Sequence, residues 1–494
     1  MSVRKHLKQL AGESAIYGVS GVVGRFIGIF LVPIYTRIFT PADYGVISLL
    51  TVFSGLVMMF AVLALDNSSA RWFYDTEDIQ DRHTTISSWF WCQLSVGSVL
   101  ALVICVLAPW ISWWLTDSAQ YANLVRLVAV GIPFFTAGKV IGNWLRYQRR
   151  AAGAVVFSLG QTLGNIGLVI LFVVVWRRGL TGLFTANLIA TAVIAVVAVA
   201  CLRSWIAPSA FSWQRLRPML RYALPLIPAG VALWIMMSMD RVMLKMFANT
   251  NEVGLYSIGA SVASGVGLVT AAFMQAWGPF AYSILKQPDS GRVYARVLDL
   301  YSFLGCALCT ALALFAPLIL RVLTTKAYYA AASTVALLAF STLLDGGRFI
   351  ASLGCSIAKQ SVPSAIAVAI GAALNLGLAV LLIPRFGRDG AALASMLGWA
   401  CSVVYLFRAS QRRFYIPFRW RPSLASFGLA WGLIAVDHWL IAGNGMVANS
   451  MRGGLLLIFV PLGMLLGLIR WRDVRSILSR LQQARFRLAT GNCP

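Results

Sequence analysis

An all-α polytopic membrane protein with about fourteen spanning helices is the fold this sequence predicts, and three observations carry the prediction. Of 494 residues, 59% are apolar and only 12% charged, whereas a soluble chain carries roughly a quarter charged residues. Half that share cannot coat a water-soluble body of this size, and the mean hydropathy of +0.79 says the same. The apolar residues also come in runs of bilayer-crossing length, which takes ~20 residues per helix. Finally, the 41 Lys and Arg, set against 16 Asp and Glu for a net charge of +25, fall mostly between those runs. In a soluble chain that excess would suggest nucleic acid. Here it reads as membrane topology plus a basic interior, and no nucleic-acid partner is expected.

The runs, in order, are 14–36, 44–65, 86–115, 122–145, 151–176, 180–202 and 221–245, then 252–284, 294–323, 328–350, 361–384, 388–408, 424–441 and 453–471. The opening MSVRKHLKQLAGE is basic and amphipathic, and the run after it contains Arg25 and no small-residue cleavage site. It therefore reads as a retained first span and not a signal peptide. The thirteenth run is the weakest, because Asp437 and His438 fall near its end. With fourteen spans, one set of alternate connections holds 28 Lys and Arg and the other 9, leaving Arg25, Arg126, Lys139 and Arg241 inside spans. By the positive-inside rule this bias supports both termini in the cytoplasm and an even number of spans.

The chain also echoes itself. RIFTPADYGVISLL (37–50) matches KMFANTNEVGLYSIG (245–259) with one gap, pairing Arg37 with Lys245, Phe39 with Phe247 and Gly45 with Gly254. NIGLVILFVVVWRRGLTGL (165–183) matches NLGLAVLLIPRFGRDGAAL (375–393), pairing Asn165 with Asn375 and, after a two-residue gap, Gly182 with Gly390. Both offsets lie near 210 residues, or six helices. An even number gives two halves of the same orientation, related by an axis along the membrane normal as in one class of transporter. The expected organisation is a first lobe over 1–210, a second over 211–415, and two further helices with a basic cytoplasmic tail over 416–494.

Charges within spans are expensive in hydrocarbon and usually face a wet cavity or the bundle interior. Arg25 stands mid-span in GVVGRFIGIF, Arg126 and Lys139 in the fourth span, and Arg241 in the seventh. Several cations around one cavity suit a substrate bearing phosphate, since guanidinium forks match its oxygens. For Arg126, Lys139 and Arg241 the alternative is a helix-end side chain snorkelling to the interface. Asp66 closes the second span and Asp240 lies in the seventh, so either is a candidate for taking up a coupling proton or cation. Asp240 and Arg241 point about 100° apart on a helix and need not pair, whereas Asp345 and Arg348 are spaced to pair with each other. The acid-rich stretch 66–82 reads as a solvated loop. Trp110, Trp113, Trp114, Trp176, Trp205, Trp213, Trp420 and Trp471 cluster at span ends as an aromatic belt, while Trp89, Trp91, Trp234 and Trp277 are candidates for the interior. Cys306 and Cys309 form a CxxC without a second pair nearby and read as packing residues. No catalytic constellation, metal-spacing cluster or GxxxxGK[ST] phosphate loop is present in the sequence, so neither an enzyme nor a cofactor is expected, and any energy comes from an H+ or Na+ gradient, the membrane potential or downstream consumption of the product.

Three stretches carry a family resemblance: YALPLIPAGVALWIMMSMDRVMLKMFANTNEVGLYSIGASVA (222–263), NLGLAVLLIPRFGRDGAALAS (375–395) and IYTRIFTPADYGVISLL (34–50). They resemble the polysaccharide-transport flippases of the multidrug/oligosaccharidyl-lipid/polysaccharide exporter superfamily, in the Wzx-like branch that handles O-antigen and exopolysaccharide repeat units. The resemblance implies a two-lobe, fourteen-helix fold working by alternating access. It implies as substrate an undecaprenyl-diphosphate-linked oligosaccharide turned from the inner to the outer leaflet, with membrane lipids and the polysaccharide polymerase machinery as partners. It also implies a cationic central cavity onto which Arg25 maps. Two other classes stay open. An ion-coupled exporter of cationic drugs would want carboxylates in its cavity, and a membrane glycan polymerase or ligase would want a catalytic loop outside the membrane.

Overall fold

In hydrocarbon every backbone N–H and C=O must find its partner within the chain, so an apolar run of this length folds as a helix. The computed structural model describes residues 31–441, 443 and 445–468, which are helical with short connections and contain no strand. Eleven helices among the described residues are long and apolar enough to cross a membrane, from Pro41–Tyr74 to Met446–Leu465. The longest, Val362–Gln411, has 50 residues and covers two of the sequence runs. Straight, it would reach ~75 Å, against a hydrocarbon core of ~30 Å. Gly387 breaks it, with φ 54° and ψ −132°, a backbone that glycine enters without a Cβ penalty. The run 424–441 forms the helix Trp420–Leu440. The run 14–36, with Arg25, lies outside the described residues except for 31–38, which is helical.

Two connections are more ordered than the sequence reading has them. The stretch 66–82 is not a loop: the chain turns at Leu63 and Ala64 (φ 52° and 51°) and re-enters helix over Leu65–Tyr74, burying Leu65 and Phe73. Its acids cap and pair, with Asp78 Oδ1 accepting the Gln80 N–H at 3.1 Å and Asp81 sitting 2.6 Å from Arg215. Likewise the 221–245 run is preceded by a separate helix, Trp213–Ala223. Its Leu216, Met219 and Ala223 are buried at helical spacing, while Arg217 and Arg221 are exposed. A short 3-10 turn with Pro225 then leads into Ile227–Phe247.

The burial pattern is inside-out, as lipid solvation requires. Along Ile79–Thr116, Leu102, Val106 and Trp110 are 69%, 72% and 63% exposed, whereas Gly97, Ala101 and Ala108 are buried. Small residues let helices approach closely and large apolar ones meet the lipid. Trp113, Trp114, Trp176, Trp213 and Trp420 are also exposed, and Trp89 and Trp277 are buried. Trp205 stacks on His83 with ring centroids 4.0 Å apart, and Trp471 lies outside the described residues.

The helices group into two compact units. One comprises the described residues up to Ser261 with Leu323–Ala331 and Val368–Gly398; the other comprises Val262–Val322, Ala332–Ala367 and the chain from Trp399 onward. The first unit has two apolar cores, one around Leu50, Ala108, Val125 and Ile132 and one around Leu65, Trp89, Val140 and Met219. The second is built on Trp277, Tyr294, Ile350 and Ile416 and on Cys355, Ala367, Leu406 and Phe407, with Cys306 and Cys309 buried. Two ion pairs explain charges in its apolar helices. Arg348 meets Asp345 at 3.2 Å, the pairing their spacing predicts. Buried Arg452 meets Asp437 at 2.8 Å, which is how the thirteenth run accommodates an acid.

Candidate substrate cavity and buried acid

The first sequence echo becomes a contact. Helices Pro41–Val62 and Thr250–Ser283 start alike: Thr40 Oγ1 accepts the Asp43 N–H at 3.2 Å, and Asn249 Oδ1 accepts the Glu252 N–H at 2.9 Å. They then cross so closely that a Cβ built on Gly45 falls 1.9 Å from Thr250 O, and one on Gly254 falls 1.8 Å from Pro41 O. One turn further, Ser257 Oγ donates to Ser48 Oγ at 2.7 Å. Pro41 and Thr250, Gly45 and Gly254, and Ser48 and Ser257 are all 209 residues apart, so the contact is reciprocal about a local two-fold. The second echo behaves similarly. A Cβ on Gly182 meets Phe172 O at 2.9 Å and one on Gly390 meets Leu382 O at 2.4 Å. Phe172 and Leu382 occupy equivalent positions in the alignment of the two halves.

Beside this crossing lies Asp240, 3% exposed. Its Oδ2 accepts from Tyr256 Oη at 2.8 Å and from Ser395 Oγ, and Asn375 Nδ2 donates to Ser395 at 3.2 Å. Asp240 Oδ1 and Asn375 Oδ1 are buried acceptors without a donor. Two orphaned oxygens, one from a carboxylate, form an environment that a proton or a small cation would satisfy. Arg241, about 100° further round the helix, reaches Tyr256 and Ser257 from the other side of the cluster. It is half-buried, with Nε 3.4 Å from Ser257 Oγ, Nη1 donating to Met237 O at 3.2 Å, and its guanidinium 5.7 Å from the Tyr256 ring centroid. Tyr256, Asn375 and Ser395 escape a search for charged residues. The echo of Asn165 in Asn375 is the sequence signal that could have found one of them.

Three adjoining cavities open among the helices Pro41–Val62, Ala122–Tyr147, Ala151–Val169 and Gly179–Leu202. One, of about 430 Å³, is lined by Met58, Asp66, Phe135 and Lys139 among others. A smaller one, of about 140 Å³, carries Lys139, Asn143, Arg146 and Gln161. The third, of about 410 Å³, carries Met58, Ser54, Gln161, Asn165 and Asn187. Lys139 and Phe135 line both of the first two, Gln161 and Thr191 the second and third, and Met58 the first and third. The structure therefore brings Lys139 and Asp66 to one cavity and Asp240 and Arg241 to one cluster. Arg126 does not line any of the three; it is exposed and donates to Asn123 Oδ1 at 2.8 Å. Arg25 lies outside the described residues. The polar lining residues Gln161, Asn187 and Thr191 are not singled out from sequence, because a search for charges inside apolar runs passes over uncharged side chains.

A family model described as polysaccharide biosynthesis protein matches residues 34–333, more than half of the chain. The chain belongs to this family. An uncharacterized membrane protein of Haemophilus influenzae is 23% identical over 300 residues, 60% of this chain and 70% of that relative. Among solved structures, the chain is similar to the lipid II flippase MurJ in an inward closed conformation, with TM-score 0.72 and 14% identity over 91% of this chain and 98% of that one. It is also similar to an inward-facing multidrug resistance MATE family transporter of the MOP superfamily, with TM-score 0.66 and 16% identity over 79% of this chain and 98% of that one. At such identities the likeness is one of fold. That fold, together with the polysaccharide family, agrees with the exporter-superfamily resemblance in the sequence.

Proposed function

We propose that this member of the polysaccharide biosynthesis family is a flippase for a lipid-linked glycan. It moves an undecaprenyl-diphosphate-linked oligosaccharide repeat unit from the cytoplasmic to the periplasmic leaflet of the inner membrane, for O-antigen or exopolysaccharide assembly, and hands it to the polymerase machinery. The observation that carries this reading is Lys139. It is a cation in an apolar helix placed where cavities meet, beside a chamber of uncharged hydrogen-bonding groups. An anionic head joined to a neutral polar body is the chemistry such a lining recognises.

In this mechanism Arg25 and Lys139 hold the diphosphate, with Arg241 as a further cation along the path, while Arg126, exposed beside Asn123, stays outside it. Two lobes, 1–210 and 211–415, rock to expose the site alternately, both termini stay cytoplasmic, and the lipid tail lies near the last two helices. No covalent step and no nucleotide takes part. Asp240, with its orphaned oxygen, takes up the coupling proton or sodium ion, and Asp66 is a second acid on the cavity. Asp66 also favours one alternative, an ion-coupled exporter of small cations.

A deletion strain tests the proposal. Loss of surface polysaccharide with complete lipid-linked repeat units trapped on the cytoplasmic side is the expected result. Single units that reach the outside without polymerising would make the chain a polymerase or ligase. Unchanged glycan with altered drug sensitivity would make it a drug exporter.

A further inference from the structure

Among the described residues, the 410 Å³ chamber has no charged side chain in its lining, although its two neighbours carry Asp66, Lys139 and Arg146. Its polar groups are hydroxyls and carboxamides, among them Thr51, Ser54, Gln161, Asn165, Asn187 and Thr191. Thr51 and Thr191 donate to carbonyls of their own helical turn, Ile47 O and Asn187 O, both at 2.7 Å, which leaves their lone pairs toward other donors. Asn165 Oδ1 is buried without a donor. Carboxamides offer both donors and acceptors, so the lining can satisfy hydroxyl groups, which are themselves both. It has nothing to neutralise an ion, and an unpaired ion taken from water into such a site is costly.

The duplicated frame sharpens the contrast. Asn165 and Asn187 stand where the second half has Asn375 and Ser395, 210 and 208 residues later. In that second half the pair closes on Asp240. The position 208 residues before Asp240 is Val32, which is buried. One copy of the frame is built around an acid; the other lacks the acid and opens into a roomy, uncharged chamber. At about 410 Å³ it lies within the ~300–1,000 Å³ of small-molecule sites.

We infer that this chamber holds uncharged, hydroxyl-rich sugar units, so that the glycan next to the lipid diphosphate carries no carboxylate or ammonium. The inference rests on the flippase reading, and it adds a specificity rule to it. The chamber shares Gln161 and Thr191 with the Lys139 cavity, so the sugars it holds are those adjacent to the anion.

The test uses the full-length chain purified into liposomes with two polyprenyl-diphosphate disaccharides. These are identical except that the first sugar is glucose in one and glucuronate in the other, and crossing is read by exposure to a membrane-impermeant oxidant. The neutral substrate should cross at least about tenfold faster, a preference of ~1.4 kcal/mol. Equal rates would overturn the chamber assignment and leave the flippase reading standing. Crossing of neither substrate above protein-free liposomes would overturn both. Variants give a second reading. Asn187→Asp should slow the glucose substrate about tenfold and speed a glucosamine analogue. An Asn187→Asp protein of unchanged thermal stability that carries glucose at the wild-type rate would remove the chamber from the substrate path.

Discussion

Replacing Gly45 by Ala puts a methyl group where Thr250 O already is. The built Cβ stands 1.9 Å from that oxygen, so the two backbones must part by roughly 1.5 Å to regain van der Waals contact. Backbone cannot swing aside as a side chain can, and overpacking of this kind costs ~1–3 kcal/mol. The Ser257–Ser48 hydrogen bond, 2.7 Å long and one turn away, marks two side chains close enough to report on the crossing. About 2 kcal/mol would lower the population of the closely crossed arrangement by about 30-fold. Ser48→Cys with Ser257→Cys reports on that arrangement through the rate of oxidative cross-linking in native membranes. We expect rapid cross-linking in the otherwise native chain and strong suppression when Gly45→Ala is added. Gly164→Ala is the control, because nothing lies within 4 Å of its Cβ. Undiminished cross-linking in the Gly45→Ala background would refute the claim that these two backbones meet at their glycines.

Three more outcomes follow from the site and its supports. Lys139→Ala should reduce glycan export in a complementation assay by tenfold or more, about 1.4 kcal/mol, whereas Arg126→Ala, exposed beside Asn123, should export nearly normally at equal expression. Asp240→Asn keeps the shape of the side chain and its acceptor toward Tyr256 but removes the ionisable group, so export should fall while protein level and thermal unfolding hold; transport by this variant that still responds to proton or sodium gradients would clear Asp240 of coupling. Arg452→Ala should lower thermal stability by about 3–5 kcal/mol, because it leaves a mostly buried Asp437 without its 2.8 Å partner, and Arg452→Met with Asp437→Leu should recover much of the loss.

The class of fold was legible in the sequence because lipid imposes a one-dimensional rule. A run of ~20 apolar residues must be a helix, and hydropathy reads such runs directly. The repeat was legible for a related reason: Gly45 and Gly254 are needed where two backbones touch, and no other residue fits. The Asp345–Arg348 pair could be read from i,i+3 spacing alone. Connections were less legible. Leu65–Tyr74 hides its helix in polar sequence, where buried Leu65 and Phe73 outweigh Asp66 and Arg71, and the acids beyond it cap the next helix or pair with Arg215. Trp213–Ala223 is short and amphipathic, and its neighbouring prolines mark its end only once the helix is known to exist.

Membership of the spans, their order, the duplicated halves and the presence of ionisable residues within apolar helices are properties of the chain itself, fixed by composition and periodicity. What those residues face is not. Lys139 and Arg126 occupy the same helix and look alike in sequence, yet one lines a cavity and the other an exposed surface, because a helix rotates its side chains by about 100° per residue and only its neighbours decide which direction is inward. Asp240 gains its partners from Tyr256, 16 positions away, and Ser395, 155 positions away. Such a cluster exists only once distant helices have packed, since hydrogen bonds of this kind depend on distances that hydropathy does not encode.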